Sequence, residues 1–404
     1  MPVLRIAIPA MDELDYLPAT LNALSLQNTI YPFVVYVCVN QPDVFWSLPE
    51  KKSVCENNRT LLAFLHSYTS LSLCILDYAS PGLGWKGKKS GVGFARKVLF
   101  TKILSDCNPN DIVVSLDADT LIDPQYLQSV AERFEREPDL NALAVPYYHL
   151  LSGEDETRDL AMLRYEIYMR NYAVNLLRIH SPYGFTALGS AIAMRAKSLQ
   201  KIGNITPLQS GEDFYLVQKF CKMGGLGLFN TECVYPAGRY SDRVPFGTGP
   251  AMLAGANGTW DSYPIYHHSF FSPILETYRH LKELYENRLS VGENDFLRFL
   301  QKDCNKPDIW QEIRHNVSDY PHFVKAFHQK ADGLRLLQYV RQKHRQNPEK
   351  EKTALYDNLQ LWMSGKCPTW INPSHSCCQY SVGQLNFIRD MLFHDETQLR
   401  HDYG

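Results

Sequence analysis

Short hydrophobic runs alternate with longer amphipathic segments through the first 120 residues. Four runs rich in β-branched and aliphatic residues predict strands, at 4–9, 33–40, 71–77 and 112–117. Between these runs, apolar residues recur at helical spacing over 13–28, 57–68 and 91–105. Helices that connect successive strands make those strands pair in parallel through right-handed crossovers. The pattern therefore predicts an α/β, Rossmann-like fold with a mostly parallel twisted sheet flanked by helices.

The pattern changes along the rest of the chain. A strand is predicted at 142–146 and helices at about 124–137, 157–178 and 211–223, whereas 238–258 is rich in glycine, lacks periodicity and predicts a long loop. From about 272 the period is helical, in segments near 273–289, 293–301, 307–315, 321–346 and 351–363. We therefore expect a catalytic domain over 1–265, with a donor half (1–125) and an acceptor half (140–265), followed by a mainly helical region over 266–404.

Composition and charge narrow the function. Hydrophobic residues make up 45% of the chain and charged residues 21%, as in ordinary globular proteins. With 41 Lys and Arg against 43 Asp and Glu, no overall basic field favours nucleic acid. The first apolar stretch is too short for a secretory signal and no run of 18 apolar residues occurs, so a cytoplasmic location is expected. The basic stretch 325–352 is either a solvated helix face or a contact with the inner, anionic face of a membrane.

The strongest candidate for chemistry is the pair Asp117 and Asp119, which follows a hydrophobic run. Two carboxylates placed together repel each other, and a divalent cation with oxygen ligands removes that repulsion. Mg²⁺ or Mn²⁺ is commonly shared between such carboxylates and substrate phosphates. The alternative is that one acid caps a turn and the other a helix.

A second acidic pair, Glu212 and Asp213, opens a predicted helix. The helix dipole alone favours acids there, but one carboxylate could also act as a general base. Cationic candidates are Arg96, at the start of a predicted helix, and Arg239 and Arg243 on the glycine-rich loop, where they could hold phosphate. The stretch Gly82–Gly87 matches a dinucleotide-binding pattern, but its Trp85 and Lys86 fit poorly against a pyrophosphate.

These motifs, in this order, resemble family 2 glycosyltransferases of the A-type fold. The resemblance covers roughly residues 1–245. It rests on the Asp-x-Asp motif Asp117-Ala118-Asp119 after a strand, the N-terminal strand running into Pro9-Ala10-Met11-Asp12-Glu13, the segment Gly91 to Arg96, the segment Gly189 to Arg195, and the pair Glu212-Asp213.

The resemblance implies a nucleotide-diphosphate sugar donor, UDP- or GDP-linked, and a glycan, lipid-linked or small-molecule acceptor. It implies Asp119 on a Mn²⁺ or Mg²⁺ ion that bridges the diphosphate and Asp117 nearer the ribose or sugar. Asp213 would deprotonate the acceptor, giving inversion, with Glu212 in support. The other implied donor contacts are Pro9, Glu13 and Asp77 near the nucleoside, Arg96 near the phosphates, Gly189 near the sugar, and Arg239 and Arg243 on the leaving diphosphate.

Departures from the family pattern leave some points open. Asn40-Gln41-Pro42 stands where the family usually has an acidic nucleoside contact, and the Gln-x-x-Arg-Trp signature of processive members is absent, which favours transfer of a single sugar. His267 or His268 could offer a third metal ligand. Two other functions remain as alternatives: a phosphatase of the haloacid dehalogenase type, whose nucleophile motif also follows a strand, and a catalytically silent sugar-nucleotide-binding domain.

Overall fold

The chain divides into two compact units. The computed structural model describes residues 1–87, 90–243, 247–289, 294–305, 308–364 and 367–403. The first unit comprises Met1–Met162, Thr186–Asn257 and Arg400–Gly404, and the second comprises Leu163–Phe185 and Gly258–Leu399. Each candidate residue of the acidic and cationic motifs named above belongs to the first unit.

The first unit is built on a mostly parallel sheet. Its strands are β1 (Leu4–Ala10), β2 (Phe33–Asn40), β3 (Leu73–Tyr78), β4 (Ile112–Ser115), β5 (Thr120–Ile122), β6 (Ala142–Ala144), β7 (Ile192–Arg195), β8 (Leu226–Gly227) and β9 (Val234–Pro236). Among the described residues, seven strands form one sheet in the order β3-β2-β1-β4-β7-β6-β8. Neighbours from β3 to β4 are parallel, and β7 runs antiparallel to both β4 and β6. The predicted fold class is confirmed.

The first unit also contains helices, several of which pack on this sheet through buried apolar residues. They are α1 (Leu17–Ser25), α2 (Lys52–Ser67), α3 (Val92–Asp106), α4 (Tyr126–Arg136), the start of α5 (Glu156–Arg178), α6 (Ala196–Lys201), α7 (Glu212–Met223) and α8 (Thr248–Ala256). Helix α3 packs on β1 and β2, and α2 on β2 and β3. The central strands are buried on both faces, as Ile6, Ile8, Val35 and Val37 show with no exposed surface. Sheets covered on both sides have this continuous apolar character.

Two predictions about backbone need correction. Strand β4 ends at Ser115, two residues earlier than expected, so Asp117 and Asp119 lie in the turn that leads to β5. The long loop predicted over 238–258 contains α8, in which Ala251 and Met252 are buried. Alanine, methionine and leucine favour helix strongly enough to outweigh the glycines of this stretch. The predicted loop also includes Val244, Pro245 and Phe246, which lie outside the described residues.

The second unit is helical. It contains the remainder of α5, then α9 (Ser272–Arg279), α10 (Leu281–Tyr285), α11 (Asp295–Asp303), α12 (Ile309–Asn316), α13 (Tyr320–Lys330), α14 (Gly333–Gln346), α15 (Glu351–Trp362) and most of α16 (Val382–Tyr403). The predicted helical C-terminal region is present. Arg170 of α5 pairs with Glu166 at 2.6 Å and with Glu396 of α16 at 2.7 Å, and all three side chains are buried.

The basic stretch 325–352 lies on α13, α14 and the start of α15. Two of its cations form ion pairs, Arg335 with Asp303 at 2.7 Å and Lys343 with Asp295 at 2.8 Å. Contact of this stretch with a membrane surface stays a prediction. Within the described ranges, no helix combines the length and the apolar character needed to cross a membrane.

Candidate active site

The candidate residues gather where the parallel strands of the first unit end. Glu13 follows β1, Asp77 is the penultimate residue of β3, and Asp117 and Asp119 follow β4. The carboxyl ends of parallel strands lie at one edge of a sheet, where open α/β folds bind their ligands. Asp213 joins them from the first turn of α7.

Arg96 lies at the centre of a buried ion network. Its side chain, on the first turns of α3, is 3% exposed. Its Nε donates to Oγ of Ser115 at 3.3 Å, while Nη1 donates to Glu212 and Nη2 to Asp117. Burial by itself lowers the pKa of Arg96, but Asp117, Glu212 and Asp213 outweigh burial and raise it above the ordinary value. Arg96 therefore stays charged and joins the N-terminus of α7 to the end of β4.

These partners change what Arg96 is expected to do. The resemblance implied a contact with donor phosphates, which stays a prediction. The guanidinium is instead turned toward two carboxylates of the chain itself, so phosphate would have to displace one of them. The observed contacts favour a positioning role, in which Arg96 holds Glu212 and Asp117 in place.

Gly189 makes room for this network. A Cβ atom added at Gly189 would lie 1.9 Å from Nη2 of Arg96 and 2.4 Å from its Cζ. Because the guanidinium is held by hydrogen bonds on three sides, any larger residue would displace it. The role of Gly189 beside the sugar stays a prediction, whereas its contact with Arg96 is observed.

A second network surrounds Asp119, whose side chain is 14% exposed. Nε of Arg239 lies 2.8 Å from Oδ2 of Asp119, and Nη2 of the same guanidinium donates to Oε1 of Glu13. Arg243 also reaches Glu13, with Nη1 2.7 Å from Oε1. Burial, together with Glu13 and Asp117, raises the pKa of Asp119 to about 7 although the two arginines oppose the shift.

A small antiparallel ribbon places Arg239 beside Asp119. Strand β5 begins directly after Asp119 and pairs with β9, Thr120 opposite Pro236. The Ala237 amide then donates to the Asp119 carbonyl at 3.2 Å, which brings the residues after β9 alongside the Asp-x-Asp turn. The guanidinium of Arg239 also lies 4.4 Å from the centre of the Tyr16 ring, a cation–π contact.

Asp213 has the proton affinity expected of a general base. Burial and the neighbouring carboxylates of Glu212 and Asp117 raise its pKa to about 7, against the opposing effects of Arg96 and of the Phe214 amide. That amide donates to Oδ1 of Asp213 at 2.7 Å and holds the carboxylate in place. A base whose pKa lies near neutral pH is suited to accept a proton from a hydroxyl.

Asp77 and Pro9 have structural partners as well as implied roles. Oδ1 of Asp77 accepts hydrogen bonds from the amides of Ala79 and Ser80, each at 2.9 Å. These bonds lower the pKa of Asp77 despite its burial. Pro9 lies in β1 beyond Ala7, the last β1 residue that pairs with β4, so its missing N–H costs no bond to that strand. Their contacts with a nucleoside stay predictions.

The structure also contains a buried amide network that sequence reasoning missed. Asn58 of α2 has no exposed surface; its Oδ1 accepts from the Asp12 amide at 2.9 Å and its Nδ2 donates to Oε1 of Gln41 at 2.8 Å. Asn40 links its Nδ2 to the Ala10 carbonyl at 2.9 Å. Asp12 has a φ of 60°, a left-handed conformation that this bond to Asn58 helps to hold. Polar residues inside otherwise apolar runs were the signal available in the sequence.

The Gly82–Gly87 stretch is used for packing. A Cβ at Gly84 would lie 2.6 Å from Cα of Asp43, so glycine permits the close approach. Trp85 stacks on Tyr78 with ring centres 4.4 Å apart, and its Nε1 donates to Oδ1 of Asn40 at 3.1 Å.

His267 and His268 belong to the second unit. Nδ1 of His267 lies 2.8 Å from Oγ of Ser269 and its Nε2 lies 3.2 Å from Oδ2 of Asp357. Burial lowers the pKa of both histidines. Both ring nitrogens of His267 thus have partners, and its role as a metal ligand stays a prediction.

Comparison with known proteins gives structural matches of low similarity. No protein-family model matches the chain, and no curated protein matches it. TarS 1-349 of S. aureus in complex with UDP-GlcNAc matches at a TM-score of 0.41 and 14% identity, covering 100% of this chain and 91% of that one. Glucosyl-3-phosphoglycerate synthase of Mycobacterium tuberculosis, in complex with Mn²⁺, UDP-glucose and phosphoglyceric acid, matches at 0.38 and 13%, covering 64% of this chain and 80% of that one.

The mannosyltransferase PcManGT of Pyrobaculum calidifontis, in complex with GDP-Man and Mn²⁺, matches at a TM-score of 0.37 and 13% identity, covering 98% of this chain and 86% of that one. Likenesses at this level carry no argument about the reaction. The function proposed below therefore rests on the residues and the geometry of this chain.

Proposed function

We propose that the first unit is a glycosyltransferase. It binds a UDP- or GDP-linked sugar and moves one sugar to a hydroxyl of a glycan, a lipid-linked acceptor or a small molecule, with inversion and without processivity. The observation that carries the proposal is the meeting of acids and arginines of both networks at the carboxyl ends of the parallel strands. A metal-bridged diphosphate sugar requires both signs of charge within one site, carboxylates for the cation and arginines for the phosphates.

Each charged group has a task in this reaction. Asp213 accepts the proton of the acceptor hydroxyl, and the oxygen forms a bond to the anomeric carbon on the face opposite the diphosphate. The bond from that carbon to the diphosphate oxygen breaks, and the diphosphate leaves with the electron pair. Arg239 and Arg243 stabilise the charge that develops on it, the kind of electrostatic contribution that is usually largest in such transfers.

The oxygens present suit a hard divalent cation such as Mn²⁺ or Mg²⁺. Asp119 and Asp117 supply carboxylates, and Oε2 of the nearby Glu13 is buried without a hydrogen-bond partner in the described part of the chain. Within the described residues, no group of three or more His, Cys, Asp and Glu side chains is arranged to hold a metal. The donor phosphates would therefore complete the coordination, as is usual for Mg²⁺. When bound, the cation would neutralise the diphosphate as a Lewis acid.

The alternatives gain no support from the geometry. A phosphatase of the haloacid dehalogenase type would need Asp117 free for nucleophilic attack, whereas its Oδ1 is bound by the buried Arg96. A silent binding domain would not require a carboxylate with a pKa near 7 at the start of α7, the property that Asp213 has.

Titration calorimetry with a panel of UDP-glucose, UDP-GlcNAc and GDP-mannose, each with and without Mn²⁺, tests the proposal. We expect one donor to bind in a Mn²⁺-dependent way and Asp119→Asn to weaken that binding by at least tenfold, about 1.4 kcal/mol. Asp139→Asn, which removes an exposed acid between α4 and β6, is the matched control and should bind the donor normally. If none of the sugar nucleotides binds, or if Asp119→Asn binds like the wild type, the assignment fails.

A further inference from the structure

Two carboxylates of the first unit share a single guanidinium. Arg239 bridges Asp119, through Nε at 2.8 Å, and Glu13, through Nη2. The acids come from the ends of two neighbouring parallel strands, β4 and β1. The position that links them is occupied by a cationic side chain of the chain itself.

The two carboxylates at this position carry more negative charge than Arg239 alone neutralises. Glu13 is 6% exposed, and its Oε2 has no hydrogen-bond partner among the residues that the structure describes. Its other oxygen, Oε1, already accepts from both Arg239 and Arg243. A buried carboxylate oxygen without a donor points to a partner that arrives from outside, and a hard cation is a partner that binds such an oxygen.

We propose that Glu13 and Asp119 form a cation seat that Arg239 fills in the ligand-free protein and that a divalent cation carried by a diphosphate takes over. The inference rests on the proposed function for the identity of the diphosphate, and it assigns the cation to the two carboxylates of Asp119 and Glu13, while Asp117 stays paired with Arg96. The resemblance gave Glu13 a place beside the nucleoside, with no part in cation binding.

Charge balance determines whether a cation can replace Arg239 between the two carboxylates. A metal ion alone must displace Arg239 from two carboxylates and leave a half-buried guanidinium without an anion, which is costly. A metal ion that arrives with a diphosphate brings the anion that Arg239 can pair with once displaced. Binding of the cation and of the nucleotide is therefore coupled, and each raises the affinity of the other by the same factor.

Arg243 provides a charge-matched control. It bonds to the same Oε1 of Glu13 at 2.7 Å and to the Met11 carbonyl, but in the described part of the chain it forms no ion pair with Asp119. Replacing either arginine by glutamine removes one positive charge from the same neighbourhood. A difference between the two variants then reports the occupation of the seat and not the net charge.

Mn²⁺ binding to the full chain, measured by the loss of the free-ion electron paramagnetic resonance signal, tests the proposal without any assay of transfer. For the wild type we expect UDP or GDP to tighten Mn²⁺ binding at least tenfold. For Arg239→Gln we expect Mn²⁺ alone to bind at least tenfold tighter than in the wild type, with the added effect of nucleotide falling below threefold. For Arg243→Gln, which frees Oε1 of Glu13 from one of its two donors and leaves the pair of Arg239 with Asp119 intact, we expect a gain in Mn²⁺ affinity at least threefold smaller than that of Arg239→Gln.

Glu13 is tested in the same background. Adding Glu13→Gln to Arg239→Gln should lose at least fivefold of the gained Mn²⁺ affinity if Glu13 is a ligand. Arg239→Lys, whose single ammonium cannot bridge both carboxylates, should show an intermediate gain and serves if the glutamine variant does not fold. Equal Mn²⁺ affinities for the Arg239→Gln and Arg243→Gln variants overturn the proposal.

The two proposals fail in different ways. If no nucleotide binds but the Arg239→Gln and Arg243→Gln variants still differ in Mn²⁺ affinity, the cation seat stands and the proposed function fails. If the nucleotide binds but Arg239→Gln and Arg243→Gln have the same Mn²⁺ affinity, the cation seat fails and the proposed function stands.

Discussion

At the scale of single residues, the proton affinity of Asp213 links the structure to the proposed chemistry. Its carboxylate lies next to Glu212 on α7 and within the influence of Asp117, and burial further disfavours its charge. Asp119 experiences the same combination of burial and neighbouring acids. Both pKa values lie near 7, so both groups change charge within the neutral range.

We predict that transfer falls as the pH is lowered through about 7, because the base must be ionised to accept a proton. In kcat/KM for the donor, which reports the free enzyme, Asp119 and Asp213 both contribute and the slope on the acid side should exceed one. At saturating donor and metal, a cation on Asp119 lowers its pKa, so kcat should fall with a slope of one. Rates between pH 5.5 and 8.5, measured by release of the nucleoside diphosphate, check the predicted slopes of kcat/KM and of kcat.

Asp213→Asn is the companion variant. It should bind the donor as the wild type does and lose at least a hundredfold in kcat at every pH, because general-base catalysis contributes factors of this size. A variant that keeps its turnover, or a wild-type profile that is flat through pH 7, would show that Asp213 is not the base.

The residue types of the site could be predicted from the sequence, but the partners of those residues could not. Asp117 and Asp119 could be identified because they follow an apolar run, and Asp213 because it lies at the start of a predicted helix. The bond between Arg96 and Glu212 joins residues 116 positions apart, and no local pattern indicates it. The burial of Arg96 depends on that contact and on the absence of a side chain at Gly189.

At the scale of elements, Gly93 allows the start of α3 to pack closely against the segment that precedes α7. A Cβ atom added at Gly93 of α3 would lie 2.1 Å from the carbonyl oxygen of Leu208 and 2.8 Å from its nitrogen. The segment after Leu208 leads directly into α7, with Glu212 and Asp213 in its first turn. The distance between α3 and this segment therefore sets the position of the base relative to Arg96.

We predict that Gly93→Ala destabilises the protein by about 1–3 kcal/mol, because the methyl group meets backbone atoms that cannot rotate away. It should also lower kcat by at least tenfold, since a displacement of about 1 Å is costly for a positioned catalytic group. Chemical denaturation and steady-state rates measure the two effects.

Gly383→Ala in α16 is the matched control. A Cβ at Gly383 would meet no atom of the described residues within 4 Å, so the free energy of unfolding should stay the same or rise by up to about 1 kcal/mol through helix propensity. If Gly93→Ala behaves like this control, the close contact between α3 and Leu208 does not govern the site.

The observed element boundaries show which helices the hydrophobic period of the sequence predicts correctly and which it does not. The predicted helix over 211–223 is observed as Glu212–Met223, with Gly224 at its C-terminal end at a positive φ of 94°. The segment predicted as one helix over 321–346 is two, because Asp332 caps α14 through a bond from the Arg335 amide. That cap was visible in the sequence. Helix α8 was not, because its glycines and proline resemble a loop until burial of Ala251 and Met252 is known.

At the scale of the whole molecule, the net charge of −2 does not reveal that two carboxylates destabilise the folded state when they are ionised. Asp119 and Asp213 have pKa values near 7 in the folded protein against an ordinary value of 3.8. The folded state therefore binds more protons than the unfolded state between about pH 4 and 7. Stability from these groups is fully present below the unfolded pKa and is lost as the pH rises through about 7.

We predict that the unfolding temperature of the ligand-free protein rises as the pH is lowered from 8.5 to 6, because these two carboxylates take up protons on folding in that range. Asp213→Asn should unfold at a higher temperature than the wild type at pH 8.5 and should show a weaker pH dependence, since the neutral amide carries no burial penalty for charge. Asp242→Asn, at an exposed position of the same unit, should keep the wild-type slope.

Saturating Mn²⁺ with the bound nucleotide should raise the unfolding temperature most at pH 8.5, because the cation favours ionised Asp119 and binding to the folded state adds stability by mass action. Scanning calorimetry at three pH values, with and without ligand, measures each effect. An unfolding temperature that falls steadily from pH 8.5 to 6 in the ligand-free protein would contradict the raised pKa values, and with them the electrostatic basis of the proposed base.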